Sequence, residues 1–413
     1  MRAPAFALVT LMLAACQSGT ATPTSTVAVN ARSAPPPSAG GPREGSLAGP
    51  ARTSAPIAAC PASGPIFTVL PMDPADFRSF RPLGFPQPPI HIFGAKHSAF
   101  TINLPGATPV SGRRVRFPSD ATVTDITSTE STAGSGYQLS FAPCRDLKSY
   151  LFHLGSISPA LETAFKASVP RCQDFDFGAA GGKVKKCDAK LALAVKAGDL
   201  VGGSDAFAGV DWGLVDYRVD LPYANLKRYD GDYPHIVSPV DYSAPDVRGQ
   251  LVAKLGNMDG TLRRTVAPVA GTVMQDLPGT AQGNWFTPGG ANFMNTTNFE
   301  PFLGLLHDHV EPAIPIMSMG TSVKGVRLGL YTFTPQSTGT VNRDFADVRP
   351  DGKTYCYERF GSGQTRSGLN LGAIDGVLLM TMPTATTLRV ERRAGATCAN
   401  APPMGPDAFT FER

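Results

Sequence analysis

The chain carries six histidines in 413 residues, and the chemistry open to it turns on three of them. His153 stands in "YLFHLGSIS", where Tyr150, Phe152 and Leu154 alternate with their neighbours as in a half-buried β-strand. A lone imidazole on such a strand is ordinarily a core residue with one hydrogen-bonded ring nitrogen. Brought against the right partners, it becomes a general acid or base. His91 and His97 flank the glycine-containing turn "HIFGAKH". With Asp211 of "VDWGLVDYR" they form a candidate metal set, because zinc accepts imidazole nitrogens and carboxylate oxygens alike. The bland alternative leaves His91 and His97 facing solvent. In "LLHDHVEP", His307 and His309 would point one way if both lay on a strand, but no third ligand is evident, so a structural or surface role is expected.

Other catalytic patterns are missing. No Gly-x-Ser-x-Gly elbow stands between a strand and a helix, and neither a phosphate loop nor a dinucleotide fingerprint occurs. Trp285 and Phe286, in the Gly/Asn-rich "GTAQGNWFTPGG", make a candidate binding surface able to stack on a sugar; filling a core edge is the favoured reading.

The elements that must position these residues are short. Forty-three glycines and 38 prolines, with 42% hydrophobic and 17% charged residues, fit strands joined by tight turns better than long helices. "FTINLP", "GRRVRFPSDATVTDI", "GYQLSFAPC", "KSYLFHLG", "VKAGDLVGG" and "VDWGLVDYRVD" read as strand material over residues 64–220. One helix interrupts them, with Ser158 as cap, Pro159 in the first turn, and Leu161 and Phe165 on one face. Residues 221–243 are rich in Pro and Tyr and read as a connection across the surface, and residues 244–413 repeat the short-strand style. The expected class is mainly β, with a β-sandwich or β-barrel as the C-terminal domain of unknown role. A net charge of +4 without a long basic block argues against nucleic acid as a partner.

"MRAPAFALVTLMLAAC" sets Arg2 before an apolar run that ends at Cys16, and its Leu-Ala-Ala-Cys resembles the bacterial lipobox. The resemblance implies a signal peptide over residues 1–16 and lipidation of Cys16, hence a membrane partner through the lipid. Gln17 in place of the aspartate of inner-membrane retention implies the outer membrane, facing the periplasm. Residues 17–63 are a Pro/Ser/Thr/Ala-rich tether that cannot bury enough apolar surface to order itself.

Six cysteines remain: Cys60, Cys144, Cys172, Cys187, Cys356 and Cys398. An even set in an exported chain suggests three disulfides, with sequence neighbours as the expected pairs. Without a Cys-x-x-Cys pair, zinc held by thiolates is the weaker reading.

Three pieces of residues 64–220 resemble, in order, the lysostaphin-like (LytM-type) zinc endopeptidases of peptidoglycan. "GRRVRFPSDATV" is similar to one family segment at Gly112, Val115, Pro118, Asp120, Thr122 and Val123. "GYQLSFAPCRDLKSYLFHLGSIS" resembles the strand pair ending in Tyr-x-His-Leu, and "VKAGDLVGG" the following turn. The resemblance implies a duplicated-hybrid-motif, barrel-sandwich domain with His153 at the family's non-ligand catalytic histidine. The departures fall on the metal ligands: Thr101 stands where the family has aspartate after His97, and no His-x-His closes the set. The expectation is therefore a degenerate domain without a cofactor, lipid-anchored, binding or scaffolding peptidoglycan or an envelope protein. The alternative is a zinc-dependent peptidoglycan endopeptidase with a rearranged site of His97, His91 and Asp211.

Overall fold

Short alternating segments become strands in three antiparallel-dominated sheets, which gives the mainly β class expected. The computed structural model describes residues 57–131, 134–176, 183–207, 209–229, 231–289 and 301–413. The signal segment, Cys16 and nearly all of the tether lie outside the described residues.

The first sheet holds β1 (Ser79–Arg81), β2 (Ser98–Thr101), β3 (Arg114–Arg116), β4 (Ala121–Ser131), β5 (Gly134–Cys144) and β6 (Leu147–Ile157). It continues with β7 (Arg171–Asp176), β8 (Lys183–Val195), β9 (Leu200–Ser204), β10 (Gly209–Asp216) and β11 (Ile236–Val237). Its main path runs β1-β2-β10-β6-β5-β4-β8-β7, so β10, late in sequence, is threaded between β2 and β6. Helix α1 (Pro159–Ala167) follows β6 with Pro159 in its first turn and buries Leu161 and Phe165, as their spacing requires.

The second sheet is built from β12 (Gly283–Trp285), β13 (Leu303–His307), β14 (Pro315–Met319) and β15 (Gly329–Thr332), extended by short strands further along the chain. The third sheet has four strands and includes the long hairpin of Val377–Thr384 and Thr387–Arg393. One core packs beneath the first sheet and reaches through Val247 and Leu251 of α2 (Pro245–Val252) to Ala270. Another runs from Ala281 to Phe411.

The Pro/Tyr-rich connection does not lie across the surface. Tyr223, Tyr229 and Tyr233 are buried with Phe93, Phe286 and Phe302 in a core joining the two halves of the chain. Stacked and tilted rings, with Tyr229 and Tyr233 at 5.1 Å, make this segment a wedge.

All six remaining cysteines pair as sequence neighbours: Cys60–Cys144, Cys172–Cys187 and Cys356–Cys398. Cys172 and Cys187 are register partners on β7 and β8, so the pairing of the strands itself brings the thiols together.

Candidate functional site

Strand β10 alternates its side chains between two environments. Val210, Trp212 and Leu214 enter the core, while Asp211, Gly213 and Val215 point to the opposite face. Asp211 lies in register with Ala99 of β2 on one side and Phe152 of β6 on the other. His97, just before β2, and His153, just after Phe152, are thereby delivered to one carboxylate. His97 Nδ1 stands 3.3 Å from Asp211 Oδ1, and His153 Nε2 stands 3.2 Å from Asp211 Oδ2. His153 adopts φ 64°, in the left-handed region, beside register shifts against β5 and β9. Such an irregularity re-aims one side chain out of the strand's alternation.

Asp205, beyond β9, completes the arrangement. Its backbone N–H donates to the His153 carbonyl at 2.9 Å, and its Oδ2 lies 3.5 Å from His153 Nδ1. Both ring nitrogens of His153 thus face carboxylates, which selects the doubly protonated imidazolium. Burial opposes the charge, but Asp211 and the hydrogen bonds that His153 donates to Asp205 and Asp211 outweigh it and hold the His153 pKa well above the ordinary imidazole value. Burial pushes the Asp211 carboxyl up, yet the neighbouring histidines bring it down to about 2. An imidazolium with both N–H groups committed has no lone pair with which to act as a base.

Around this pair the histidines are neutral. Burial lowers His97 to about 4, with Asp211 opposing, and takes His91 well below the ordinary value, with His97 adding to the effect. His97 is therefore no ion-pair partner of Asp211, and neither of its ring nitrogens has a hydrogen bond. Its ring sits edge-on to His91 at 5.2 Å and to Phe85 at 5.4 Å. Over the Phe85 face, at 3.5 Å, lies the Arg81 guanidinium. Burial reduces Arg81 to about 10 while Asp211 and Asp308 support it, so the group stays cationic at neutral pH. Arg81 and His153 set positive charge against Asp211 and Asp205, with Asp308 a further carboxylate acting on Arg81 and Lys96 a further cation acting on His91 and His97.

The space between these groups is a cavity of about 60 Å³. It has room for a few waters and none for a peptide chain. His97 and Asp211 are spaced as two ligands of one tetrahedral zinc would be, about 3.3 Å apart for metal–donor bonds of about 2.0–2.1 Å. A full set does not follow: among the described residues no three His, Cys, Asp or Glu side chains are grouped so as to hold an ion. Thr101, where an aspartate would serve, is buried with an unpartnered hydroxyl.

A second ligand on β10 would have to stand two residues from Asp211, on the same face. Two positions meet that condition, Gly209 and Gly213: a Cβ at Gly209 would overlap the Phe100 carbonyl oxygen, and the Tyr150 ring lies so close over Gly213 that a Cβ there would overlap Tyr150 Cζ and Oη. Tyr150 is fixed there by donating its hydroxyl hydrogen to the Lys96 carbonyl at 2.7 Å.

No family model, curated protein or solved structure matches the chain.

The remaining candidates disperse. Trp285 and Phe286 are 0% and 1% exposed, so the possible binding surface is corrected to core. Trp285 Nε1–H donates to the Ala281 carbonyl at 2.8 Å, and Phe286 packs among Phe93, Phe302 and Tyr229. His307 ends β13 and meets Asp344 at 3.1 Å, whereas His309, past the strand, is buried 6.0 Å from Phe85. The two do not share a strand face. His97 is 2% exposed, which overturns the solvent-facing alternative for it. Arg81, Asp205 and Tyr150 escaped the sequence reading. Each comes from a three-residue strand, a post-strand turn or a residue read as plain strand filling, and none carries a spacing signal.

Proposed function

We propose that the chain is a lipid-anchored envelope protein, held at the outer membrane by Cys16, whose N-terminal peptidase-like domain binds or scaffolds rather than cleaves. The observation that carries this reading is that both β10 positions two residues from Asp211 are glycines closed to a side chain, Gly209 by the Phe100 carbonyl and Gly213 by the Tyr150 ring, so no further ligand stands on β10. The charges support it: Arg81 and the His153 imidazolium already set positive charge against Asp211 and Asp205. Peptide hydrolysis at neutral pH calls for a polarised carbonyl and an activated water. Here the imidazolium stands between two carboxylates and has no lone pair to activate a water. Peptidoglycan or an envelope protein is the partner class. Among the described residues no helix is long and apolar enough to cross a membrane.

One observation favours a second reading. The unpartnered nitrogens of His97, beside Asp211 and His91, suit a rearranged zinc site in an endopeptidase.

Two experiments test the proposal. Cys16→Ser should release the protein from membranes to the periplasm; membrane retention after detergent-free washing would contradict the anchor. Incubation with cross-linked peptidoglycan should liberate no new amino groups at neutral pH, and their appearance would favour the endopeptidase.

A further inference from the structure

Beside the His–Asp cluster, on the same first sheet, lies a much larger concavity of about 500 Å³. Strands β4, β5, β6 and β8 floor it, and the turn between α1 and β7 forms its rim. Phe152, the register partner of Asp211, stands in its wall, so the groove adjoins the cluster without including it.

Its polar groups are unevenly satisfied. Gln138, at the floor, is only 7% exposed, and its Nε2 has no hydrogen-bond partner. A buried amide donor left unmade is destabilising, and a ligand acceptor would satisfy it. Four cationic side chains line the groove, Lys148, Lys186, Lys190 and Arg171, against two carboxylates, Asp125 and Asp188. Lys148 is paired with Asp232 at 2.5 Å, Lys186 with Asp188 at 3.3 Å, and Lys190 with Asp125. Arg171 has no carboxylate partner among the described residues, and its planar fork suits a carboxylate in bidentate fashion. Val169, 81% exposed at the rim, adds an apolar contact.

We infer that this groove binds an extended, carboxylate-bearing peptide. Arg171 takes a side-chain or terminal carboxylate, the Gln138 amide donates to a main-chain carbonyl, and Asp125 and Asp188 accept main-chain N–H groups. The same two aspartates repel a dense phosphate chain. The one lining aromatic, Phe152, is 2% exposed, so an acidic glycan finds no ring to stack on. This deepens the binding role proposed above and rests on it for its biological meaning. Its test does not, because it reads peptide binding and neither metal nor hydrolysis.

The experiment is calorimetric titration of the full chain with Gly-Glu-Gly-Glu-Gly, with its Gln-for-Glu analogue and with an oligogalacturonate. The acidic peptide should bind at least tenfold more tightly than the neutral one. Arg171→Ala should weaken it about tenfold and Arg171→Lys less, with unchanged thermal melting, since Arg171 is exposed. Gln138→Leu should weaken both peptides alike while removing a buried polar group. Equal affinity for both peptides, indifference to the Arg171 and Gln138 substitutions, no binding of the acidic peptide, or binding of oligogalacturonate in its place would each overturn the inference.

Discussion

His153 Nε2 and Asp211 Oδ2 lie 3.2 Å apart on adjacent strands, and each shifts the other's protonation so that both are charged. Removing one member leaves the other buried and uncompensated. Asp211→Ala should therefore cost about 3–5 kcal/mol, measured by denaturant unfolding. His153→Ala should also destabilise, and His153→Gly less so by about 1–2 kcal/mol, because φ 64° penalises any residue with a Cβ. Equal losses for Ala and Gly would show that the left-handed backbone is not maintained.

The pH dependence has two opposed limbs. The folded-state pKa of His153 is raised, so its contribution is complete below the ordinary imidazole value of about 6.5 and is lost as pH rises through the folded value. His97 and His309 are lowered by burial to about 4, so the unfolded chain binds protons that the folded chain refuses. Stability should fall as pH drops from about 6.5 towards 4. Melting temperature should peak between these limbs, and His153→Ala should flatten the alkaline one alone. An alkaline limb unchanged in that variant would show that His153 carries no raised pKa.

Gly213 is required by close approach. Gly213→Ala should destabilise by about 1–3 kcal/mol through overpacking against Tyr150. Adding Tyr150→Ala should recover part of that loss, because the clash disappears although the ring's own packing goes with it. A double mutant as destabilised as the sum of the singles would show that the two residues do not meet.

The disulfides should leave none of the six cysteines from Cys60 onward free to alkylating reagents before reduction. Their loops differ: 84 residues separate Cys60 from Cys144, and 15 separate Cys172 from Cys187. In the chain-entropy model the first should contribute about 4–5 kcal/mol and the second about 3 kcal/mol. The paired Cys→Ser variants, compared by unfolding, should rank in that order.

Much of this was legible before the structure because strand alternation and turn residues are local signals. His153 on a strand and Leu161 and Phe165 on a helix face follow from spacing of a few residues, whereas the disulfides join cysteines 15 to 84 residues apart, and only their number was legible from the even cysteine count. His97 and Asp211 group with His91 as a candidate metal set in the sequence, but the meeting of Asp211 with His153 is not legible there, since it depends on β10 entering between β2 and β6. What was missed is non-local and unpatterned. Arg81 reaches the cluster because β1 pairs with β2, Asp205 because a turn follows β9, and Tyr150 covers Gly213 across a strand pair. The tyrosines of residues 221–243 looked like surface filling; their burial depends on both halves of the chain packing around them.

The most direct measurement is metal content of the full chain, purified without chelator and equilibrated with zinc, by elemental analysis. A cluster that already holds Arg81 and the His153 imidazolium should retain far less than one zinc per chain, unchanged in His97→Ala. One zinc per chain, lost in His97→Ala and Asp211→Asn, would contradict it and place a metal at the cluster.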